Sequence, residues 1–264
     1  MYKRQVDNRP GAGGTIGGEL VANATPDGQT LYMTATAPQS IGPQIIKTNY
    51  HPVKSFTAVS LVAVTDNVLV VNARLPVKSL KELQAYVRSN PGKLNMANAG
   101  SGTQSHLGGV LLAQAAGLNV VHVSYKGGGA SVAATISGES PATITPAPAV
   151  LGHIRAGRLR ALASGSPKRS SLTPEIPTLA ESGLPNFVSN GWIGLLAPKS
   201  TSKPIVDKLY AAVITTVNDP TVARNMEKAG GDPETLPPAE FVKFMIEDWE
   251  RFGNAIKLAK LKAD

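Results

Sequence analysis

"LNMANAGSGTQSHLGGVLLAQAAGLNVVHVSYKGGGAS" runs from Leu94 to Ser131, and the order of its segments decides the fold class. Leu94 to Asn98 is short and apolar enough for a buried strand. A helix from about Gln104 to Ala116 follows, stopped by Gly117, which suits a helix end. Val120 to Tyr125 reads as a second strand. After Lys126 and three glycines, a small-residue helix is expected near Ala130 to Ser137. This alternation is the pattern of an α/β protein with a largely parallel sheet.

The alternation extends in both directions. Thr30 to Thr34 and Asn67 to Asn72 read as strands, and Val6 to Asn8 as the end of one. Ser79 opens a helix through a capping box with Glu82, and Asn90-Pro91-Gly92 closes it; Leu80, Leu83 and Val87 form its buried stripe. Further strands are expected at Ala142 to Thr145, Leu159 to Ser164 and Trp192 to Ala197, with a helix ending at Gly157. From Lys203 onward only helices are expected. Ile205, Leu209, Val213 and Val217 share one face there, and Phe241, Met245, Trp249, Phe252 and Ile256 another. Interruptions at Asn72 to Pro76 and Pro185 to Asn190 predict two crossings between lobes. Residues 1–72 with 190–264 then make one lobe and 73–189 the other, which is expected to hold all its own elements. Ligands of open α/β sheets bind beyond the carboxyl ends of the strands, so the expected site is the cleft between the lobes.

Bulk composition narrows the function classes. The chain has 264 residues, 42% hydrophobic and 17% charged, as ordinary globular proteins have. It has no cysteine, which removes disulfides and thiolate chemistry. No apolar run approaches the ~20 residues of a spanning helix. A net charge of +8 favours anionic partners. The basic residues are scattered and only 5% of residues are aromatic, so no nucleic-acid partner is expected. Small anions fit better.

Cofactor and enzyme signatures are thin. The glycine-rich stretch from Asn8 to Gly28 has Ile16 where a dinucleotide fingerprint starting at Gly11 needs glycine, and no P-loop lysine. It reads as a tight strand-to-helix turn, with no cofactor. The four histidines, His51, His106, His122 and His153, are isolated in sequence, with no pair at metal-ligand spacing. There is no Gly-x-Ser-x-Gly elbow. Glu247 and Asp248 are adjacent in an amphipathic helix, where such pairs are usually solvated.

Two turns favour an anion. Ser101-Gly102-Thr103 leads from a strand into a helix, where free amides, the helix dipole and two hydroxyls suit a carboxylate or phosphate. Simple capping by Thr103 is the competing reading. Lys126-Gly127-Gly128 repeats the arrangement. Two such turns in one lobe favour an anion site.

At these residues the chain resembles a known family. "VDNRPGAGGTIGGE", "PDGQTL", "NAGSGTQSHL", "VSYKGGGA", "IRAGRLRALA", "IPTLAESGLP" and "WIGLLAPKST" occur in this order. Together they are similar to the extracytoplasmic solute-binding receptors of tripartite tricarboxylate transporters, the Bug family. The resemblance implies a two-lobed receptor of the type II periplasmic-binding-protein kind, monomeric and not an enzyme, that closes on a small carboxylate and delivers it to membrane transporter subunits. A receptor used for sensing, or an enzyme on a similar fold, are the competing readings. The resemblance places the ligand between Ser101, Gly102 and Thr103, the Lys126-Gly127-Gly128 loop, and the loop after the Thr30 strand: Ala35, Thr36, Ala37, Gln39 and Ser40. The opening glycine turn becomes a landmark that shapes the lobe beside the cleft. Family members begin with a signal peptide, a strand, a Pro-Gly-Gly loop and a helix, which have no counterpart before Val6. The chain is therefore expected to be an N-terminally truncated form of a periplasmic parent, with a weakened first lobe and poor binding.

Overall fold

A computed structural model describes residues 5–9, 14–170 and 173–261. In chain order the elements are α1 (Thr15–Ala22), β1 (Tyr32–Ala35), a π-helical turn (Ala37–Ile41) that runs into α2 (Gly42–Ile45), β2 (Phe56–Asn72), α3 (Leu80–Ser89), β3 (Asn95–Asn98), α4 (Gln104–Ala116), β4 (Val121–Ser124) and α5 (Gly128–Ser137). Then follow β5 (Ala142–Pro146), α6 (Leu151–Arg155), β6 (Leu159–Ser164), β7 (Asn190–Pro198), α7 (Lys203–Val217), α8 (Pro220–Lys228), β8 (Asp232–Leu236) and α9 (Pro238–Leu258).

The architecture is α/β and two-lobed, and β2 organises it. Its 17 residues are buried at nearly every position, as a strand covered on both faces must be. From Phe56 to Asp66 it runs antiparallel to β7, and beside Leu61 to Val64 also to β8. From Asn67 onward its partners are β5 and β6, again antiparallel. The change falls between Asp66 and Asn67. Strand order along the sheet is β1-β7-β2-β5-β3-β4.

Several expectations are corrected here. The sheet is not largely parallel: among the strand pairs of the described residues only β3–β4 and β3–β5 run parallel, through the crossovers of α4 and α5. All four partners of β2 are antiparallel, because no helix carries the chain over the sheet between β2 and a neighbour of the same direction. The strand expected at Asn67 to Asn72 is the last third of β2. Because that part sits between β5 and β6, the segment 73–189 does not hold all its own elements. The region after Lys203 contains β8 as well as helices. Val6 to Asn8 forms no strand, and Val6 is 88% exposed. Of the glycine turn, residues 10–13 lie outside the described residues; Gly14 starts α1 at φ 93°, a conformation that favours glycine.

Two main cores lie on either side of the Asp66–Asn67 change. One joins Tyr32, Phe56, Leu61, Trp192, Phe241 and Met245. The other packs Leu80, Leu83 and Val87 of α3 against Leu69, Met96, Leu112 and Ile144. α3 forms as expected: Ser79 Oγ accepts from Glu82 N–H, while the Glu82 carboxylate reaches Lys78 N–H. A further cluster ties the halves together, with Ile41 and Ile45 meeting Leu107 of α4 and Phe252, Ala255 and Ile256 of α9.

α9 also corrects a surface reading. Glu247 stays exposed, but Asp248 is 4% exposed, accepting from Trp192 Nε1 at 2.8 Å and pairing with Arg251. Burying a carboxylate is costly unless it is hydrogen-bonded and paired in this way. Trp249 leaves the buried stripe and stacks on His51 instead. On α7, Val206 and Val217 are the buried positions, with Ile205, Leu209 and Val213 half-buried.

Candidate functional site

β3 delivers the chain to the first turn. Asn98, at its end, is 1% exposed, and its Oδ1 accepts from Gly100 N–H and Ser124 Oγ, both at 3.0 Å. Ala99 N–H donates to Ser105 Oγ at 3.0 Å. Gly102 lies at φ 74° and donates its N–H to His106 Nδ1 at 3.1 Å. Thr103 caps α4: its hydroxyl donates to Gly100 O at 2.6 Å and accepts from His106 N–H at 3.4 Å. Leu107 is the first residue to bond back along the helix, to Thr103 O. The amides of Gln104 and Ser105 therefore precede the ladder, as helix starts require. Ser101 is exposed beside them.

The second turn is built against the first. Tyr125 N–H bonds Asn98 O and Gly127 N–H bonds Ala99 O, both at 3.0 Å. Gly127 takes φ 96° and caps α5, where Ser131 N–H is the first to bond back, to Gly127 O. The amides of Gly128, Gly129 and Ala130 lie ahead of that bond. A Cβ added at Gly127, Gly128 or Gly129 would meet nothing within 4 Å, so this turn is open around its backbone. Lys126 is exposed at its edge.

The third segment is placed differently from the expected loop. Ala35 ends β1, Thr36 starts the π-helical turn, and Ala37, Gln39 and Ser40 lie inside it. Thr36 Oγ1 accepts from Trp192 N–H at 2.9 Å. Gln39 is 1% exposed and turned inward, its amide donating to Pro52 O and its Oε1 accepting from Thr34. Ala37 is exposed; Ser40 Oγ is buried without a hydrogen-bond partner. Hydrogen bonds join the first two turns to each other. The third segment meets them by packing: Ile45, just beyond it, sits where a Cβ on Gly102 would come within 2.9 Å. Gln104 Nε2, buried and unpartnered, lies over Gly191, next to the Trp192 amide held by Thr36.

Asn98, Gln104 and His106 take part in this arrangement without having been singled out. For His106 a signal was present: a glycine four residues before a histidine, across a helix start. The histidines are not all isolated in space. His106 and His122 meet edge-on with ring centroids 5.7 Å apart, because β3, α4 and β4 fold back on one another. Burial pushes both imidazoles below their ordinary pKa, and His106 lowers His122 further. Among the described residues no group of three or more His, Asp or Glu side chains is placed to hold a metal.

The sequence profile described as "Tripartite tricarboxylate transporter family receptor" matches residues 4–261. The chain belongs to that family. BugT of Bordetella pertussis is 34% identical over 261 residues, covering 97% of this chain and 80% of its own. Among solved structures, R. palustris Rpa4515 with adipate superposes with a TM-score of 0.79 at 27% identity, covering 98% of this chain and 87% of its own. MatC (Rpa3494) of Rhodopseudomonas palustris with bound malate gives a TM-score of 0.71 at 30% identity, covering 93% and 85%. These receptor-family likenesses fit the two-lobed fold.

Proposed function

We propose that this family member captures a small carboxylate from the periplasm and hands it to membrane transporter subunits, without chemical conversion. The lobes are residues 1–72 with 190–264 and residues 73–189, except that Asn67 to Asn72 belongs with the second, where β2 pairs with β5 and β6; the protein works as a monomer. The observation that carries the reading is the pair of turns after β3 and β4. They are hydrogen-bonded side by side and end in α4 and α5, so two helix starts offer unpaired amides to one small region. Lys126 adds positive charge at the rim. Ser101, Gly102, Thr103, Lys126, Gly127 and Gly128 form this side of the site; of the Ala35-Thr36-Ala37-Gln39-Ser40 segment, Ala35 and Ala37 form the opposite side, while Thr36, Gln39 and Ser40 are buried beneath it. Adipate and malate in the two neighbours support a dicarboxylate.

Calorimetry with malate, adipate and a tricarboxylate tests the reading, with the solutions followed for product. Saturable binding of at least one acid and its unchanged recovery are expected. Turnover of any of them, or no binding by the whole panel, would overturn it.

A further inference from the structure

Gly102 is held on two sides. Its backbone is in the left-handed region at φ 74°, and Ile45 occupies the space a side chain would need. On its other side the amide hydrogen points to His106 Nδ1 at 3.1 Å. A ring nitrogen accepts only when unprotonated, so this bond fixes His106 as neutral with its proton on Nε2. The ring is also anchored from its own backbone, since His106 N–H reaches the Thr103 hydroxyl that caps the same turn. One residue thus ties the turn to the start of α4 twice, its side chain holding Gly102 and its backbone N–H holding Thr103.

Among the described residues, those lining the groove around the ring offer no counter-charge. His106 lines a groove with Val110 and Leu118, with His122 from β4 and with Leu258 and Ala259 from α9. His122 is the other titratable group there, and its Nδ1 is buried without a partner. Among the described residues, no carboxylate lines the groove to stabilise an imidazolium. A proton on Nδ1 would set two N–H groups against each other and leave the Gly102 amide without an acceptor.

We propose that His106 is the positioning residue of the Ser101–Thr103 turn: its neutral Nδ1 holds the Gly102 amide and presets the turn for a carboxylate, and protonation of the ring undoes that setting. The ligand half of this proposal rests on the carboxylate reading above. The hydrogen bond itself does not.

Nitrogen-15 NMR of the histidine-labelled protein reads the first half. His106 should show the Nε2–H tautomer, and the Gly102 amide should shift with the same midpoint as His106 when pH is lowered. The second half is read by calorimetry with malate and adipate across that midpoint. Affinity should fall as pH drops through the lowered pKa of His106. His106→Leu should lose roughly tenfold in affinity at neutral pH, the effect of one lost hydrogen bond. His106→Asn, whose Oδ1 can replace Nδ1 as acceptor, should recover most of that affinity and lose the pH dependence. A Gly102 amide that ignores the His106 titration overturns the proposal, as does His106→Asn binding no better than His106→Leu, or affinity that rises on acidification. If no acid of the panel, the tricarboxylate included, binds the unaltered protein, the carboxylate reading fails, and the NMR titration still decides whether His106 sets the turn.

Discussion

The two turns that lie side by side after β3 and β4 are built on opposite plans. Around Ser101–Thr103 the polar groups are turned back into the protein: Gly100 to Asn98, Gly102 to His106, and the Thr103 hydroxyl to Gly100 O. Around Lys126–Gly128 the Gly127 amide and the Gly127 and Gly128 carbonyls are committed, while the three glycines stand in open space. The first turn is a fixed floor. The second is an open wall, with backbone able to approach a ligand closely because no side chain intervenes. Under the proposed function, a carboxylate resting on both would meet one turn tied down by its own hydrogen bonds and one whose backbone is open.

The contrast predicts an ordered set of losses. The largest belongs to Gly102→Val, which puts a branched side chain into Ile45 at a positive φ. It should cost about 2–3 kcal/mol of stability or more by thermal or urea melting, and abolish carboxylate binding. Thr103→Val comes next. It removes the cap and the hydroxyl bond to Gly100 O, worth about 1–2 kcal/mol in melting experiments. Unchanged affinity in that variant would confine Thr103 to capping. Lys126→Ala should leave the melting temperature alone and weaken carboxylate binding by a few-fold at low salt, an effect that vanishes at high salt because the charge is exposed. Smallest is Gly129→Ala, within α5 with nothing within 4 Å of the new methyl. It should stabilise the protein by about 0.5–1 kcal/mol through helix propensity. If it also abolished binding, the second turn would be as exacting as the first, and the contrast would be lost.

Local signals in the sequence translated directly into structure. Gln104 to Ala116 formed the helix its caps define, Thr103 at one end and Gly117 at the other. Ser79 and the α3 stripe did the same. The two anion-friendly turns were visible because glycines and hydroxyls at a strand-to-helix junction are local features. What was hidden depends on partners far along the chain. β2 was seen only at its apolar end, since Phe56 to Asp66 mixes Thr, Ser and Ala among its valines and its strand character comes from burial under β7 and β8. β8, Asp232–Leu236, has no apolar alternation; all five residues are half-buried and held by β2. Asp248 looked solvated because Trp192, which donates to it, lies 56 positions away. His106 and His122 looked isolated for the same reason. The inward-facing Gln39 could not be foreseen from a segment that reads as a polar loop.

β2 carries a consequence for any attempt to take this protein apart. One strand is the spine of both half-sheets, so neither half owns the chain that holds it together. Cutting out residues 73–189 as a module would leave β5 and β6 flanking an empty lane where Val68 to Val71 belong. A graft that swaps one half for a relative's would have to carry Asn67 to Asn72 with it. The same shared spine couples the halves during melting: pulling β2 out of either sheet unzips its continuation in the other. The protein is therefore built to come apart in one concerted event, although its outline is that of two bodies.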